Sequence, residues 1–325
     1  MQPSFRIIAD RQDITDTIRD RLLSLVVTDQ SGGKTDMVEI RLDDRDGIIE
    51  LPRKGAELDI AMGYAETGLA KMGLFTVDEL ELSGPPDTLI IKGKAANMRD
   101  SLKERKTRAW DEVTLDNLVA TVAAEHKLEP RVGEFLGAIH IPHLDQTEES
   151  DLHLLTRLAR QYDALTKPAG GALLFVPKGE AKSASGKTVP PVTIHRSETS
   201  DHRISMPDRG KYKAVIAHWH DTSSGNRTPV RIGDGKPVHT LKHTYSDQAT
   251  ARHAAQANMD ALERGVATAS ITLKHGNPKL AAGGGLTLEG FRQGADGNWL
   301  TTQVVHTLSG GGYSTRVEAE TPKKR

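Results

Sequence analysis

Apolar and polar positions alternate along the first hundred residues with the period of two that half-buried strands require. Along 37–42, Val38, Ile40 and Leu42 fall on one face, and 57–64 repeats the pattern. Further strands are predicted near 4–8, 21–28, 73–82 and 88–95, with turn-forming sequence between them at 31–33, 46–47 and 83–87. Many short strands joined by frequent turns are typical of an antiparallel barrel or sandwich.

The pattern changes to a helical period after about residue 98. Thr114 precedes apolar residues at 115, 118, 119, 122 and 123, the spacing of one helix face, and can cap that helix. A second helix is predicted from Ser150, and its buried residues are expected to be Leu152, Leu155, Leu158, Ala159 and Tyr162. A strand at 171–177 follows, so 98–178 is predicted to be a small mixed α/β domain.

Strands return after a low-complexity loop at 179–191. The predicted elements are a strand at 212–220, a helix at 246–265, and strands near 268–274, 286–291, 298–308 and 313–320. We therefore divide the chain into a first β-barrel domain at 1–97, a mixed α/β domain at 98–191 that ends in the loop, and a second β-barrel domain at 192–325 with a helix at 246–264. Whether 98–178 and 192–265 form one discontinuous domain is left open.

Two segments of the chain share a pattern. A strand ends in Gly-aromatic, an aromatic residue then begins a longer strand, and that strand runs into Leu-Ser-Gly; the paired positions are Gly63-Tyr64 with Gly290-Phe291, Phe75 with Trp299, and Leu82-Ser83-Gly84 with Leu308-Ser309-Gly310. The spacers differ by a few residues, so chance is the alternative to a duplication. The first copy has prolines where the second has three glycines at 310–312. Because proline offers no backbone N–H to a phosphate, both loops are predicted to be hairpin turns.

Composition excludes several classes of function. The net charge is −1, from 43 basic and 44 acidic residues, so no global field favours nucleic acid or a membrane. The chain has no cysteine, which excludes disulfides, zinc–thiolate sites and thiol catalysis. The apolar runs are far shorter than a membrane span, and no signal peptide is expected at the N-terminus.

A phosphate-loop look-alike ends in Gly186-Lys187-Thr188. A true phosphate loop feeds directly into a helix, whose N-terminal N–H groups bind the phosphate. Here Pro190 and Pro191 follow almost at once, so a solvated loop is the better interpretation.

The 13 histidines do not form an obvious ligand set. His218 and His220 share a strand face, and His239 and His243 are four residues apart, but these are pairs, and metal sites need three or four converging ligands. His306 stands alone on its strand face and is predicted to be a structural histidine.

A basic segment at 99–110 ends at Trp110 and lacks the interleaved aromatic residues of a nucleic-acid groove. It is interpreted as a solvated segment between domains, with a channel-lining or partner-facing basic patch as the alternative. The adjacent acid pairs Asp111/Glu112 and Glu148/Glu149 are interpreted as charges near helix starts.

The chain resembles the phage late control protein D family, the central baseplate hub of contractile phage tails. The resemblance rests on stretches that include "DITDTIRDRLLSLVV" (13–27) and "TTQVVHTLSGGGYSTRV" (301–317), and it runs in order through 13–64, 73–110, 149–164 and 298–320. It extends to the N-terminal hub part of the valine-glycine repeat spike proteins of type VI secretion. Since the long repetitive spike of those proteins is lacking, the spike is expected to be a separate chain.

The resemblance implies a mainly β fold with an α+β insertion: two related antiparallel β-barrel domains and a small mixed α/β domain, assembled as a ring-shaped homotrimer. Three chains with two similar domains each would present six similar units, which suits an adaptor between a six-fold tail tube and a three-fold spike. The implied partners are the central spike protein and the tail tube protein, and they extend to tape-measure and baseplate wedge proteins.

The implied role is structural, in the virion tail baseplate, after assembly in the host cytoplasm. No catalytic, cofactor-binding or metal residue is expected. Neither membrane insertion nor sequence-specific nucleic-acid binding is expected, although DNA passing through the channel is compatible with the role. The alternatives are the hub of a type VI secretion or phage-like injection machine and a tail-associated cell-wall hydrolase.

Overall fold

A computed structural model describes residues 1–31, 35–95, 100–169, 171–178, 191–207, 212–263 and 267–322. The strands are β1 (Pro3–Ala9), β2 (Gln12–Asp13), β3 (Leu22–Gln30), β4 (Met37–Asp43), β5 (Glu57–Tyr64), β6 (Gly68–Ser83), β7 (Thr88–Ala95), β8 (Arg105–Thr114), β9 (Glu129–Val132), β10 (His140–Ser150), β11 (Ala164–Ala169), β12 (Ala172–Pro177), β13 (Val192–His195), β14 (Thr199–Ser205), β15 (Ala214–Asp221), β16 (Asn226–Ile232), β17 (Val238–Tyr245), β18 (Thr268–Leu273), β19 (Gly285–Glu289), β20 (Gly297–Ser309) and β21 (Gly312–Glu320).

The helices are fewer. The α-helices are α1 (Thr15–Ile18), α2 (Leu115–Glu125), α3 (Glu134–Gly137), α4 (Asp151–Gln161) and α5 (Gln248–Glu263), and the 3-10 helices are Arg19–Arg21, Asp100–Lys103 and Arg196–Glu198. The mainly β fold predicted from the alternating pattern is confirmed. Within the described residues, no helix is both long and apolar enough to cross a bilayer.

One large antiparallel sheet follows the order β14-β18-β21-β20-β3-β4-β7-β6-β5-β1-β2, with β19 and β13 branching from β20. The prediction of two closed barrels is wrong for the single chain, since no sheet closes on itself in the described residues. The physical reason lies in β3. Instead of returning to the free edge of its own strands, it pairs with β20, and that pairing joins the two predicted barrels into one open sheet.

The sheet contains two runs of six strands with matching order. The first strand unit is β1-β5-β6-β7-β4-β3 and the second strand unit is β13-β19-β20-β21-β18-β14. In both units the long strand changes partner along its length. β6 pairs with β5 at its start and with β7 at its end, and β20 pairs with β19 at its start and with β21 at its end. One difference is that β1 runs antiparallel to β5, whereas β13 runs parallel to β19.

Local irregularities recur at matching places in the two units. A 3-10 helix leads directly into β3 and another into β14, and each strand has a bulge after its first residue, Leu22 or Thr199. Phe75 and Trp299 are both buried where the long strand changes partner, and a bulge follows two residues later in both strands. The two aromatic residues that the sequence pattern paired therefore occupy comparable places in the two units, and the similarity extends well beyond the segments that showed it in the sequence.

The two predicted glycine- and proline-containing loops are turns between adjacent antiparallel strands. Residues 84–87 connect β6 to β7, and Gly310 and Gly311 connect β20 to β21. Both hairpin predictions are therefore confirmed.

Residues 100–178 fold around a separate hydrophobic cluster that includes α2, α4 and β12. The hydroxyl of Thr114 accepts a hydrogen bond from the Asn117 N–H, and that of Ser150 accepts one from the His153 N–H, so both predicted helix caps are confirmed. Leu155, Leu158 and Ala159 are buried as predicted, and Leu152 and Tyr162 are half-buried.

The strands β15–β17 form a small sheet covered by α5, with its own cluster of buried residues. The helix predicted at 246–264 is observed over Gln248–Glu263. The residues at 179–190, including Lys187 and the phosphate-loop look-alike, lie outside the described residues.

Candidate functional site at the seam between the two strand units

The two strand units meet where β3 pairs with β20. Seven residue pairs follow one register from Ser24 opposite Ser309 to Gln30 opposite Gln303. Leu308 and Tyr313, from the second unit, are buried in the hydrophobic core of the first. The seam is therefore continuous in both backbone pairing and side-chain packing.

A buried polar cluster lies at this seam around His306. Its Nδ1 lies 2.8 Å from the Tyr313 hydroxyl and 3.0 Å from the Thr315 hydroxyl, and its Nε2 lies 3.2 Å from the Leu280 carbonyl oxygen. Since a carbonyl oxygen can only accept, Nε2 carries the proton and Nδ1 is left as an acceptor for a hydroxyl hydrogen. Burial lowers the pKa of His306, which keeps the ring neutral. The prediction of a structural histidine is confirmed.

An aromatic contact extends that cluster into the first unit. The rings of Tyr64 and Tyr313 have centroids 5.4 Å apart. Gly276 packs so closely on Tyr313 that an added Cβ would lie 2.5 Å from its ring. The strand-ending Gly63-Tyr64 of the first unit thus contacts the second unit directly.

A charged joint fixes the middle of the chain to the same seam. The Lys167 ammonium on β11 donates to Asp29 at 2.9 Å and to Asp36 at 2.8 Å, and Asp29 also accepts from the Ala282 N–H at 2.8 Å. Burial opposes the charge on the lysine, but the two carboxylates outweigh it and raise the pKa of Lys167. Three separate parts of the chain therefore meet at Asp29.

A second ionic network is internal to residues 100–178. Asp151 is fully buried and accepts from Lys106 at 2.6 Å, from Arg108 at 2.8 Å and from Gln146 at 2.8 Å. Burial would raise the pKa of Asp151, but hydrogen bonds from Lys106, Gln146 and His126 outweigh it and hold the pKa at about 2. The carboxylate stays charged because cationic and polar donors surround it.

This network corrects the interpretation of the basic segment at 99–110 for two of its residues, whereas Lys103 and Arg105 are exposed, as expected of a solvated segment. Lys106 and Arg108 lie on β8 and both contact Glu125 as well as Asp151, so they are ion-paired and not a solvated or partner-facing patch. Arg108 also stacks on the Trp110 ring, with its guanidinium carbon 4.2 Å from the centroid. The alternating pattern of a strand was masked here by the high density of charge.

Glu125, His126 and Asp151 bring three ligand-type atoms within 4.8 Å of one another. Lys106 already contacts both carboxylates, so their charge is neutralised by protein cations. The arrangement therefore fits an ion network that fastens α2 to α4, and it gives no support to a metal site.

The histidine pairs singled out in the sequence lie on the small sheet of β15–β17. His218 contacts Arg227, His239 lies against Tyr212, and His243 lies against Tyr245. Sequence reasoning missed both charged clusters, since the partners are far apart in the chain. The expectation that no residue serves catalysis, a cofactor or a metal stays a prediction.

Comparison with known proteins decides the family. The family model described as phage tail baseplate hub matches residues 79–312. A probable baseplate hub protein of Escherichia phage 186 is 35% identical over 98% of this chain and 93% of its own length. The chain belongs to the phage tail baseplate hub family.

Solved structures agree with the baseplate hub fold. The fold is similar to that of a 43 kDa tail protein of a Shewanella oneidensis prophage. The superposition covers 98% of this chain and 98% of that protein, with a TM-score of 0.73 at 12% identity. An Escherichia coli component of the type VI secretion system covers 94% of this chain and 74% of its own, with a TM-score of 0.55 at 11% identity. The resemblance stated from the sequence is confirmed, and these distant likenesses support the fold.

Proposed function

We propose that three copies of this baseplate hub chain form a ring-shaped homotrimer that joins a six-fold tail tube to a three-fold central spike and initiates tail and baseplate assembly. The observation that carries the proposal is the pair of strand units with the same strand order in one chain. Three chains would place six similar units around one axis while the remaining parts of each chain repeat three times. An object of that kind can match a six-fold surface on one side and a three-fold surface on the other.

We assign separate roles to the domains 1–97, 98–191 and 192–325. The two strand units, within the first and last of these, form the ring, and the joint between Lys167 and Asp29 fixes residues 100–178 relative to it. The spike and tube proteins are the proposed partners, and the chain acts without a cofactor.

A structural role, not an enzymatic one, is supported by how the chain uses its charged residues. The buried carboxylate of Asp151 is neutralised by Lys106 and Arg108, and neutral His306 is enclosed by hydroxyl and carbonyl partners. These groups hold elements together. A cell-wall hydrolase would need a carboxylic acid and a base facing a cleft.

The test is reconstitution with candidate partners. Purified chain should bind the phage's own spike protein with three copies of each in the complex, and should bind tube protein at the opposite end. A monomer in the presence of both partners would contradict the proposal. Hydrolysis of purified peptidoglycan by the chain, lost with a single carboxylate substitution, would instead support the enzymatic alternative.

The hub of a secretion machine is the second candidate, since the fold is shared with a type VI secretion component. The two roles differ in the partner. Binding to a secretion tube protein in preference to the phage tube protein would favour the second candidate.

A further inference from the structure

The seam between β3 and β20 has a matching place on β6, where the described residues provide no second strand. On β20, the backbone of Thr301 pairs with Gly283 and Gly284, and β3 then continues along the same edge. On β6, the backbone of Val77 pairs with Gly55 and Ala56 at the matching place. Among the described residues, no strand continues along that edge of β6 beyond Val77.

The strand that matches β3 is also unpaired on one side. β14 corresponds to β3 in strand order, in its leading 3-10 helix and in its bulge, and it pairs with β18 alone in the part of the chain described. The described part of one chain therefore has two open edges. Residues 79–83 of β6 have no strand where β20 has β3, and β14 has no strand where β3 has β20. Exposed strand edges of this kind pair readily with other chains.

We propose that β14 of one chain pairs antiparallel with residues 79–83 of β6 in a second copy, in the register of the internal seam. This inference rests on the proposed homotrimer and gives it an interface. Because the donor strand and the acceptor edge lie on different parts of the chain, the contact is head-to-tail and closes into a ring when the rotation permits. Three internal seams and three seams between chains would then alternate around the ring.

The bulges fix the register. Within the chain, His306 lies five residues after Thr301, where β20 has its bulge. It is opposite Val27, which lies five residues after Leu22, where β3 has its bulge. The corresponding residues are Leu82, five beyond Val77, and Ile204, five beyond Thr199. Leu82 is therefore expected opposite Ile204, and Leu80 opposite Met206.

Burial and charge support this pairing. Leu82 is 64% exposed and Met206 is 54% exposed in the single chain, and the proposed register brings both into apolar contacts. On the other face of the strands, Glu81 on β6, which also pairs with Lys92 inside the chain, would lie diagonally across from Arg203 on β14. The pairing therefore joins exposed apolar residues on one face and opposite charges on the other.

The absence of native cysteine makes a disulfide test clean. Glu81→Cys and Ser205→Cys fall directly opposite each other in the proposed register and should form interchain disulfides under mild oxidation, up to a covalent ring of three. Val305→Cys with Thr28→Cys is the matched positive control, because these residues are the corresponding pair inside one chain. That control should give an intrachain disulfide.

The negative control uses the same two strands but moves the cysteine on β14 out of register. Glu81→Cys with Asp201→Cys places the thiols four residues apart along the same face, about 13 Å, which is beyond disulfide reach. We expect roughly tenfold less interchain disulfide from it than from Glu81→Cys with Ser205→Cys. A mixture of the single variants Glu81→Cys and Ser205→Cys should give covalent dimers.

Light scattering on the same samples separates the two proposals. Particles of three chains without the expected disulfide, or with equal yield from the shifted pair, would overturn the strand pairing and leave the homotrimer standing. Single chains in the presence of the spike protein would overturn both.

Discussion

At the residue scale, the two strand units depend on side chains that occupy matching places. Phe75 is 1% exposed and Trp299 is 3% exposed, and Trp299 also donates from its indole nitrogen to the Ala295 carbonyl at 2.9 Å. The sequence pattern placed both at the start of a long strand; Trp299 lies near the start of β20, whereas Phe75 lies in the middle of β6. Their burial shows that the shared pattern reflects packing.

Truncating either aromatic residue should leave a large cavity. Trp299→Ala and Phe75→Ala should each lower the free energy of unfolding by about 3–5 kcal/mol, measured by urea titration. Phe135→Ala is the control, because Phe135 is 84% exposed and should change it by less than about 0.5 kcal/mol. Equal, small effects at all three positions would show that the two strand cores are not the source of stability.

The buried Asp151 predicts both a mutational and a pH effect. Asp151→Asn should cost about 3 kcal/mol, because Lys106 and Arg108 lose their buried counter-charge. With the pKa of Asp151 held at about 2, its contribution is complete above the ordinary carboxyl value and is lost as the pH falls from about 4 to 2.

Urea titrations at pH 7 and at steps below pH 4 measure both effects. Glu125→Gln is the control, since Glu125 is 34% exposed and should cost less than about 1 kcal/mol. An Asp151→Asn variant with the same acid sensitivity as the unsubstituted chain would show that another group is responsible.

At the element scale, local patterns predicted most strands and both capped helices, but they could not predict how the strands assemble. The period of two identified β4 and β5, and Thr114 and Ser150 identified the helix starts. The seam between β3 and β20 joins residues nearly three hundred positions apart, and Lys167 lies 138 residues from Asp29. Nothing in the local sequence encodes such contacts, so closed barrels were predicted where an open sheet exists.

The joint at Lys167 should control how firmly residues 100–178 are held to the seam. Lys167→Met leaves Asp29 and Asp36 facing each other without a cation, and should cost about 2 kcal/mol, between the values for exposed and buried pairs. Hydrogen exchange at β11 should become faster, while exchange at β6 should not change. Lys71→Met removes the exposed pair with Asp59 and is the matched control, with an expected cost below about 1 kcal/mol. Unchanged exchange at β11 would contradict the role of the joint.

The exposed Leu82 should affect assembly and not folding. Leu82→Asp should leave the melting temperature of the single chain nearly unchanged, because the side chain is 64% exposed, but should weaken trimer formation at least tenfold by placing a charge opposite Ile204. Light scattering over a range of concentrations measures the loss. Phe135→Asp, at an exposed apolar residue outside the strand units, should assemble normally. Normal trimers from Leu82→Asp would contradict the proposed interface.

At the scale of the whole molecule, one chain contains two similar strand units joined by a seam, with residues 100–178 fixed beside that seam by Lys167. In the described residues, the open sheet ends at β14, which pairs with β18 alone, and residues 79–83 of β6 have no strand along one edge. In the proposed ring, these two edges pair with the matching edges of neighbouring copies of the chain. If three copies complete the ring, it presents six similar strand units, which is the property that the proposed adaptor function requires.

The most direct test of that claim is a set of electron-microscopy class averages of the purified chain, viewed along the ring axis. We expect a closed ring of three chains with a central channel, whose ring density repeats six times because each chain supplies two similar units. Single chains, open arcs, or a closed ring with a number of chains other than three would contradict it.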